Sequence, residues 1–146
     1  MRAVVTRVSS ASVTIDGAVE GAIEKGYLIL LGVGPGDTQA VCDRLAEKIC
    51  NLRIFEDENG KMNLSLEQAG GAMLVVSQFT LYADTASRRP GFSKAAKPDL
   101  AIPLYERFME QCRARGFRVE HGQFGADMKV ASVNDGPVTI LYDTDA

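Results

Sequence analysis

The sequence predicts an α/β fold: one domain over residues 1–146, with stacked mixed β-sheets and two helices on one outer face, a three-layer α/β/β arrangement. Two observations support this prediction. The apolar runs YLILLGV at 27–33 and AMLVVSQFTLY at 72–82 are typical of strands that are covered on both faces. The segments at about 38–50 and 98–115 repeat apolar residues every three or four positions, as helices with one buried face do.

The other strands are predicted from alternation and turn signals. AVVTRV at 3–8 and ASVTID at 11–16 are predicted as two strands, and Asp16-Gly17 as the hairpin turn to a returning strand at 18–23. Five short strands are predicted in the rest of the chain: 52–55, 62–66, 117–121, 128–133 and 138–142. Gly136-Pro137 separates the last two, because proline cannot donate to a sheet and glycine weakens a strand. A turn is the simplest interpretation of this dipeptide.

The helix boundaries are predicted from capping residues. Asp37 is the expected N-cap of the first helix. Pro98 suits the first turn of the second helix, whereas Pro103 should bend that helix or mark its true start. Gly116 suits the position just after its end.

Composition and charge narrow the function classes. The net charge of −3 and the pI of about 5.2 argue against non-specific binding along a nucleic-acid backbone. The segment TASRRPGFSKAAKP at 85–98, called the basic segment here, carries four basic residues and no acid. It is either a solvated surface loop or a local contact for the end of an RNA.

The location is predicted from what the chain lacks. No apolar run approaches the roughly 20 residues that span a membrane, and the start has no long apolar stretch typical of a secretory signal. The three cysteines form no CxxC pair and suit a reducing cytosol. We therefore expect a cytoplasmic protein with no membrane partner.

Several familiar chemistries fit the sequence poorly. Gly32, Gly34 and Gly36 follow a buried strand, but a dinucleotide fingerprint would need a third glycine where Asp37 stands, so a tight turn is favoured. The single histidine, His121, could serve a hydrolase with Ser77 as nucleophile, yet there is no GxSxG elbow. The cysteines fall on predicted helices as packing residues, and no cluster of metal ligands is expected.

The polar end of the second apolar strand is more informative. Ser77, Gln78 and Thr80 follow five apolar residues. Backbone N–H groups beyond a strand end are free to stabilise an oxyanion, and Thr80 offers a hydroxyl. A strand that simply becomes polar as it leaves the core explains the same pattern.

Three segments together resemble the D-aminoacyl-tRNA deacylases with a Gly-cisPro motif: SQFTL at 77–81, FGADM at 124–128 and NDGPVT at 134–139. The resemblance covers essentially the whole chain, including the basic segment. It implies an enzyme that hydrolyses the ester of D-aminoacyl-tRNA, and of mischarged glycyl-tRNA, and that rejects L-aminoacyl-tRNA. It also implies a homodimer with its active sites at the subunit interface, acting on the acceptor end of tRNA without a cofactor.

The same resemblance implies roles for individual residues. The catalytic residues would be Ser77, Gln78, Phe79 and Thr80. Substrate binding and chiral selection would involve Arg7, Phe124, Gly125, Met128, Asn134, Gly136, Pro137 and Thr139, with the Gly-Pro corner entering from the partner subunit. The tRNA contacts of the basic segment would be Arg88, Arg89, Lys94 and Lys97.

The implied specificity is steric, but the chemistry leaves two routes open. Two carbonyls of the corner would hold the α-ammonium, so that an L side chain collides with the wall whereas hydrogen fits. Either Thr80 is the nucleophile, or the ribose 2′-hydroxyl of the substrate activates water while N–H groups near Phe79 and Thr80 stabilise the oxyanion. The second route is favoured, because the motif supplies no base. The alternatives are a Ser77/His121 hydrolase of small esters and a non-catalytic nucleotide- or RNA-binding module.

Overall fold

The computed structural model describes residues 1–146. Its strands and helices follow in chain order: β1 (Arg2–Ile15), β2 (Ala18–Ile23), β3 (Gly26–Gly32), α1 (Gln39–Cys50), β4 (Phe55–Glu56), β5 (Met62–Leu64), α2 (Leu66–Ala69), β6 (Ala72–Ser77), a 3₁₀ helix (Phe79–Tyr82), α3 (Pro98–Ala114), β7 (Val119–His121) and β8 (Lys129–Asp143). None of the helices is both long enough and apolar enough to cross a membrane.

A mixed sheet forms the frame. Its strand order is β2-β1-β3-β6-β7, and β8 pairs with β1; β4 and β5 form a separate two-stranded sheet. The neighbours of β6 are parallel to it, whereas β1 runs antiparallel to β2, β3 and β8. The predicted α/β class with a mixed sheet is therefore confirmed.

The core is divided between the two faces of this sheet. The larger cluster joins β1, β3 and β6 to the buried sides of α1 and α3, through residues such as Ile29, Leu45 and Phe108. The smaller cluster lies on the opposite face, where the second half of β1 and β2 contribute Val13 and Ile23. Two separate stacked sheets were predicted, but β8 pairs with β1 from Arg2 to Thr14, and the strands form one hydrogen-bonded six-stranded sheet.

Two pairs of predicted strands are single long strands. Residues 3–8 and 11–16 belong to β1, and residues 128–133 and 138–142 belong to β8. The interpretation of Gly136-Pro137 as a turn is wrong, because the dipeptide is a bulge inside β8. Thr6 pairs with Thr139 and Val8 with Asn134, so residues 135–138 lie opposite Arg7 alone. The Gly136-Pro137 peptide bond is cis.

The N-cap prediction for α1 is wrong by one residue. Thr38 is the N-cap, and its hydroxyl accepts a hydrogen bond from the Val41 N–H. Asp37 is buried and instead accepts hydrogen bonds from the Met1 ammonium at 2.8 Å and from the Gly34 N–H at 2.7 Å. The segment is thus a tight turn, as the sequence favours, and its acid is already paired inside the chain.

The other boundaries differ where local backbone geometry decides. The strand predicted over 72–82 ends at Ser77, and α2 is an element that the sequence patterns missed. Pro103 lies inside α3 rather than at its start; it is exposed, so water can solvate the carbonyl that loses its donor. The Asp16-Gly17 turn is confirmed, with φ of 51° and 79°.

Candidate active site

The SQFTL segment leaves the sheet abruptly after Ser77. Ser77 still pairs with Leu31 of β3, and then Gln78 adopts φ −144° and ψ 79°, after which the chain winds into the 3₁₀ helix. Gly32 permits this descent, because a Cβ there would lie 3.1 Å from the Gln78 carbonyl oxygen and 3.2 Å from the Leu81 Cβ. We call residues 77–82 the SQF turn.

The SQF turn presents unpaired N–H groups. The N–H groups of Gln78, Leu81 and Ala83 donate to backbone carbonyls of the chain, whereas those of Phe79 and Thr80 have no backbone acceptor. Phe79 is 53% exposed. Two adjacent free donors on an exposed turn can stabilise a developing oxyanion.

The side chains of Gln78 and Thr80 are joined to each other. The Gln78 side-chain amide donates to the Thr80 hydroxyl oxygen, which leaves the hydroxyl hydrogen free. An amide has no basic site at neutral pH, so this bond orients the Thr80 hydroxyl without activating it as a nucleophile.

A cavity of about 230 Å³ opens beside the SQF turn. It brings together six residues that the sequence analysis singled out: Ser77, Gln78, Phe79, Phe124, Gly125 and Met128. Val76, Ala126 and Val130 complete its lining, so most of the wall is apolar. Such a pocket suits a flat, weakly polar group of the size of a nucleobase.

The Gly-Pro corner in β8 is held by its own motif. The Asn134 side chain accepts a hydrogen bond from the Val138 N–H at 2.9 Å and donates to the Thr139 hydroxyl at 3.2 Å. Arg7, only 5% exposed, donates to the Asp135 carbonyl at 2.9 Å and to the Ile54 carbonyl at 2.6 Å. Gly136 and Pro137 remain exposed above this support.

The SQF turn and the Gly-Pro corner lie at opposite ends of the first half of β1. The turn adjoins Arg2, whose guanidinium donates to the Leu81 carbonyl, whereas the corner faces Arg7. Arg2 and Arg7 are five residues apart on extended β1, which places their Cα atoms about 17 Å apart. Within one chain the corner therefore does not reach the cavity beside the turn.

The basic segment folds back over the SQF turn. Asp84 and Gly91 pair as an isolated antiparallel bridge, and Lys94 forms an ion pair with Asp84 at 3.5 Å. The Phe92 ring packs edge-to-face on Phe79 with centroids 5.1 Å apart. The two arginines, Arg88 and Arg89, are exposed, and Lys97 is the N-cap residue of α3.

The fold does not bring together the residues that the alternative chemistries would need. Ser77 lines the 230 Å³ cavity, whereas His121 lines a larger groove of about 880 Å³ along α3, with its Nδ1 2.6 Å from the Gly122 carbonyl. All three cysteines are buried and free, as their packing role predicts, and no group of three potential metal ligands is present.

Sequence reasoning missed three residues that support the SQF turn: Arg2, Tyr82 and Phe92. Arg2 is a partly exposed residue of β1 with no distinguishing sequence pattern, and Tyr82 was assigned to the strand predicted over 72–82. The contacts of Arg2 with Leu81 and Tyr82 join segments about 80 positions apart, and the Phe79–Phe92 contact spans the basic segment, so no pattern over a few residues could have revealed them.

The α/β fold thus carries both features on which the resemblance depends: the SQFTL turn at the end of β6 and a cis Gly-Pro corner in the edge strand β8. The chain belongs to the D-Tyr-tRNA(Tyr) deacylase family, whose model matches residues 4–143. It is similar to a D-aminoacyl-tRNA deacylase of Roseiflexus castenholzii, with 62% identity over 145 residues that cover 99% of this chain and 92% of that protein.

Two solved structures show the same fold. One is titled c-Myc DNA Unwinding Element Binding Protein; it is 42% identical, has a TM-score of 0.92 and covers 98% of both chains. The other is titled a probable eukaryotic D-amino acid tRNA deacylase, with a TM-score of 0.83 and 97% coverage of both chains. At 16% identity the second similarity concerns the fold alone.

Proposed function

We propose that residues 1–146 act as one D-aminoacyl-tRNA deacylase domain. It hydrolyses the ester between a D-amino acid, or mischarged glycine, and the terminal ribose of tRNA, and it leaves L-aminoacyl-tRNA intact. The observation that supports this most is the membership of the deacylase family over residues 4–143, with SQFTL and NDGPVT both present. Because translation consumes its substrate, we expect it to act in the cytoplasm.

A homodimer is the proposed working unit. The SQF turn and the Gly-Pro corner of one chain are separated by about 17 Å of β1, so a composite site needs the corner of a second chain. The outer edge of β8 pairs with no strand of its own chain, and it carries exposed apolar residues such as Val133 (56% exposed) and Leu141 (71%). An open, apolar edge of this length favours association with another copy.

Chiral selection is proposed to arise from the shape of the wall. Gly136 and Pro137 are exposed, and their backbone carbonyls would accept hydrogen bonds from the substrate α-ammonium. With the ester carbonyl also held, the Cα of the substrate has two remaining directions. The hydrogen of a D-residue or of glycine can face the wall, whereas an L side chain would collide with it.

The chemistry is proposed to be assisted by the RNA. Thr80 has no basic partner, because its hydroxyl is bound by the Gln78 amide. The 2′-hydroxyl of the terminal ribose would therefore activate water, and the free N–H groups of Phe79 and Thr80 would stabilise the oxyanion. The apolar cavity lined by Phe124, Gly125 and Met128 is the proposed seat of the terminal adenine.

The tRNA is proposed to approach along the basic segment. Arg88 and Arg89 are exposed, and neither forms an ion pair. Lys94 and Lys97 lie further along the same segment, which packs on the SQF turn through Phe92. With an overall net charge of −3, a contact limited to the acceptor end is favoured over one along the tRNA body.

The test is deacylation of matched substrates. The protein is incubated with one tRNA charged with D- or L-forms of the same amino acid, and the acid-precipitable ester is followed with time. We expect rapid loss of the D-ester and of glycyl-tRNA, with the L-ester remaining as in buffer alone. Equal loss of D- and L-esters would contradict the chiral mechanism, and no loss of any ester would favour a binding module.

The same assay separates the hydrolase alternative. His121→Ala removes the only histidine, and we expect its deacylation rate to match that of the unaltered protein. A loss of more than about 100-fold would instead indicate that His121 acts as a general base.

A further inference from the structure

Arg2 connects the SQF turn to the end of β8. Its Nη1 donates to the Leu81 carbonyl at 2.7 Å, and its Nε donates to the Asp143 carboxylate at 3.2 Å. The guanidinium also lies over the Tyr82 ring, 4.5 Å from the ring centroid. The Arg2 side chain thus contacts both Leu81 and Tyr82, the last two residues of the SQF turn.

Tyr82 is the buried end of the same turn. It is 6% exposed, and it packs so closely against the backbone that follows β3 that a Cβ at Gly34 would lie 3.0 Å from its ring and its hydroxyl. Its hydroxyl has no hydrogen-bond partner, so packing and the cation–π contact hold the ring. Arg2 and Tyr82 therefore fix the C-terminal end of the SQF turn, whereas Phe79 lies nearer its N-terminal end.

The Phe79 end of the turn has few supports of its own. Phe79 is largely exposed and contacts the ring of Phe92 from the basic segment. The N–H groups of Phe79 and Thr80 are not anchored by backbone bonds. Their direction is therefore set by the Gln78 N–H bond to the Leu31 carbonyl before the 3₁₀ helix and by how that helix is fixed at Leu81 and Tyr82.

We infer that Arg2 is a positioning residue, which aims the Phe79 and Thr80 N–H groups by holding the Leu81 carbonyl and the Tyr82 ring. This role rests on the proposed function, in which those groups receive the oxyanion. It calls for arginine in particular, because the planar guanidinium can donate in two directions while it stacks on a ring, which an ammonium cannot do.

The test compares Arg2→Met, Arg2→Lys and a matched control in single-turnover and steady-state deacylation of D-aminoacyl-tRNA. Arg2→Met is expected to lower kcat about 10-fold while KM changes by less than about 2-fold, since only the reacting geometry is disturbed. Arg2→Lys is expected to restore part of the loss. The control is Arg107→Met, which breaks an equally exposed ion pair with Asp43 on the helical layer and should retain full kcat.

A second readout does not depend on activity. Amide hydrogen exchange over residues 77–83 should be faster in Arg2→Met and unchanged in Arg107→Met. If the unaltered protein proves inactive on every ester, the proposed function fails, while exchange still decides the positioning role. Unchanged hydrogen exchange and unchanged kcat in Arg2→Met would overturn the positioning role of Arg2. An equal loss of kcat in Arg107→Met would overturn it as well.

Discussion

Arg7 donates a hydrogen bond to the Asp135 carbonyl at 2.9 Å and thereby fastens the Gly-Pro corner to β1. A second bond, to the Ile54 carbonyl at 2.6 Å, uses the other side of the same guanidinium. Arg7 thus ties the corner to the backbone at Ile54, in addition to the hydrogen bonds that Asn134 makes with Val138 and Thr139 within the corner.

Two replacements of Arg7 should distinguish its role in positioning the Gly-Pro corner from its contribution to the stability of the fold. Arg7→Lys cannot serve both carbonyls, and we expect kcat/KM for D-aminoacyl-tRNA to fall about 10-fold or more. Arg7→Met should also lower the free energy of unfolding by about 1–3 kcal/mol, because the Ile54 carbonyl loses its buried donor. Single-turnover deacylation and urea unfolding measure the two effects. Full activity in Arg7→Lys would contradict the role.

Gly136 should not tolerate a side chain. It has φ +139°, and a Cβ would lie 2.7 Å from the Val138 Cγ2 and 3.0 Å from the Val138 N. We expect Gly136→Ala to cost about 1–3 kcal/mol of stability through strain and to lower kcat/KM strongly. The control is Gly36→Ala, where nothing lies within 4 Å of the added Cβ. Similar rates in the two variants would show that the corner is not used.

Removal of the Thr80 hydroxyl and removal of the substrate 2′-hydroxyl should lower the deacylation rate to different extents. In the RNA-assisted route Thr80→Ala retains deacylation within about 10-fold, whereas a tRNA ending in 2′-deoxyadenosine loses at least about 100-fold. Both are measured by single-turnover ester loss. If Thr80→Ala abolished turnover while tRNA binding persisted, Thr80 would be the nucleophile. An inactive Thr80→Ser would instead indicate a tight steric role.

Mixing two inactive variants tests whether the site is composite. Phe79→Pro removes one oxyanion donor, and proline is tolerated at the first position of a helix. Compared with Phe79→Ala, which keeps the N–H, it should cost about 10²–10³ in kcat. After unfolding and refolding together, Phe79→Pro and Gly136→Ala should recover about a quarter of normal activity, because half the dimers carry one intact site. No recovery would mean that both parts act within one chain.

Cys42 should be inert at neutral pH. Burial raises the pKa of its thiol to about 12 from an ordinary value of 9.0. Since the thiolate reacts, iodoacetamide at pH 8 should leave Cys42 unlabelled in the folded protein and label it in urea, as mass spectrometry would show. As the pH rises from 9 towards 12, the unfolded thiol ionises first, so this group lowers the free energy of unfolding. Rapid labelling of the folded protein would contradict the burial.

Several elements were predictable because short-range patterns determine them. The apolar runs of β3 and β6 identify buried strands, and the Asp16-Gly17 turn and Gly116 follow from backbone preferences. Six of the nine residues that line the cavity were also named from the sequence, but through the resemblance of whole motifs rather than through periodicity. The helix N-cap failed because Asp37 has a stronger partner, the Met1 ammonium, far away in sequence.

The amino-acid sequence by itself determined the α/β class, the main strands and helices, and the two motifs that carry the proposed chemistry. Only the tertiary structure decided that Gly136-Pro137 is a cis bulge opposite Arg7 rather than a turn, and that it lies far from the SQF turn of its own chain. The reason is physical: local propensities act over a few residues. The register of β8 on β1 and the contacts of Arg2 and Arg7, by contrast, join residues 47 to 141 positions apart.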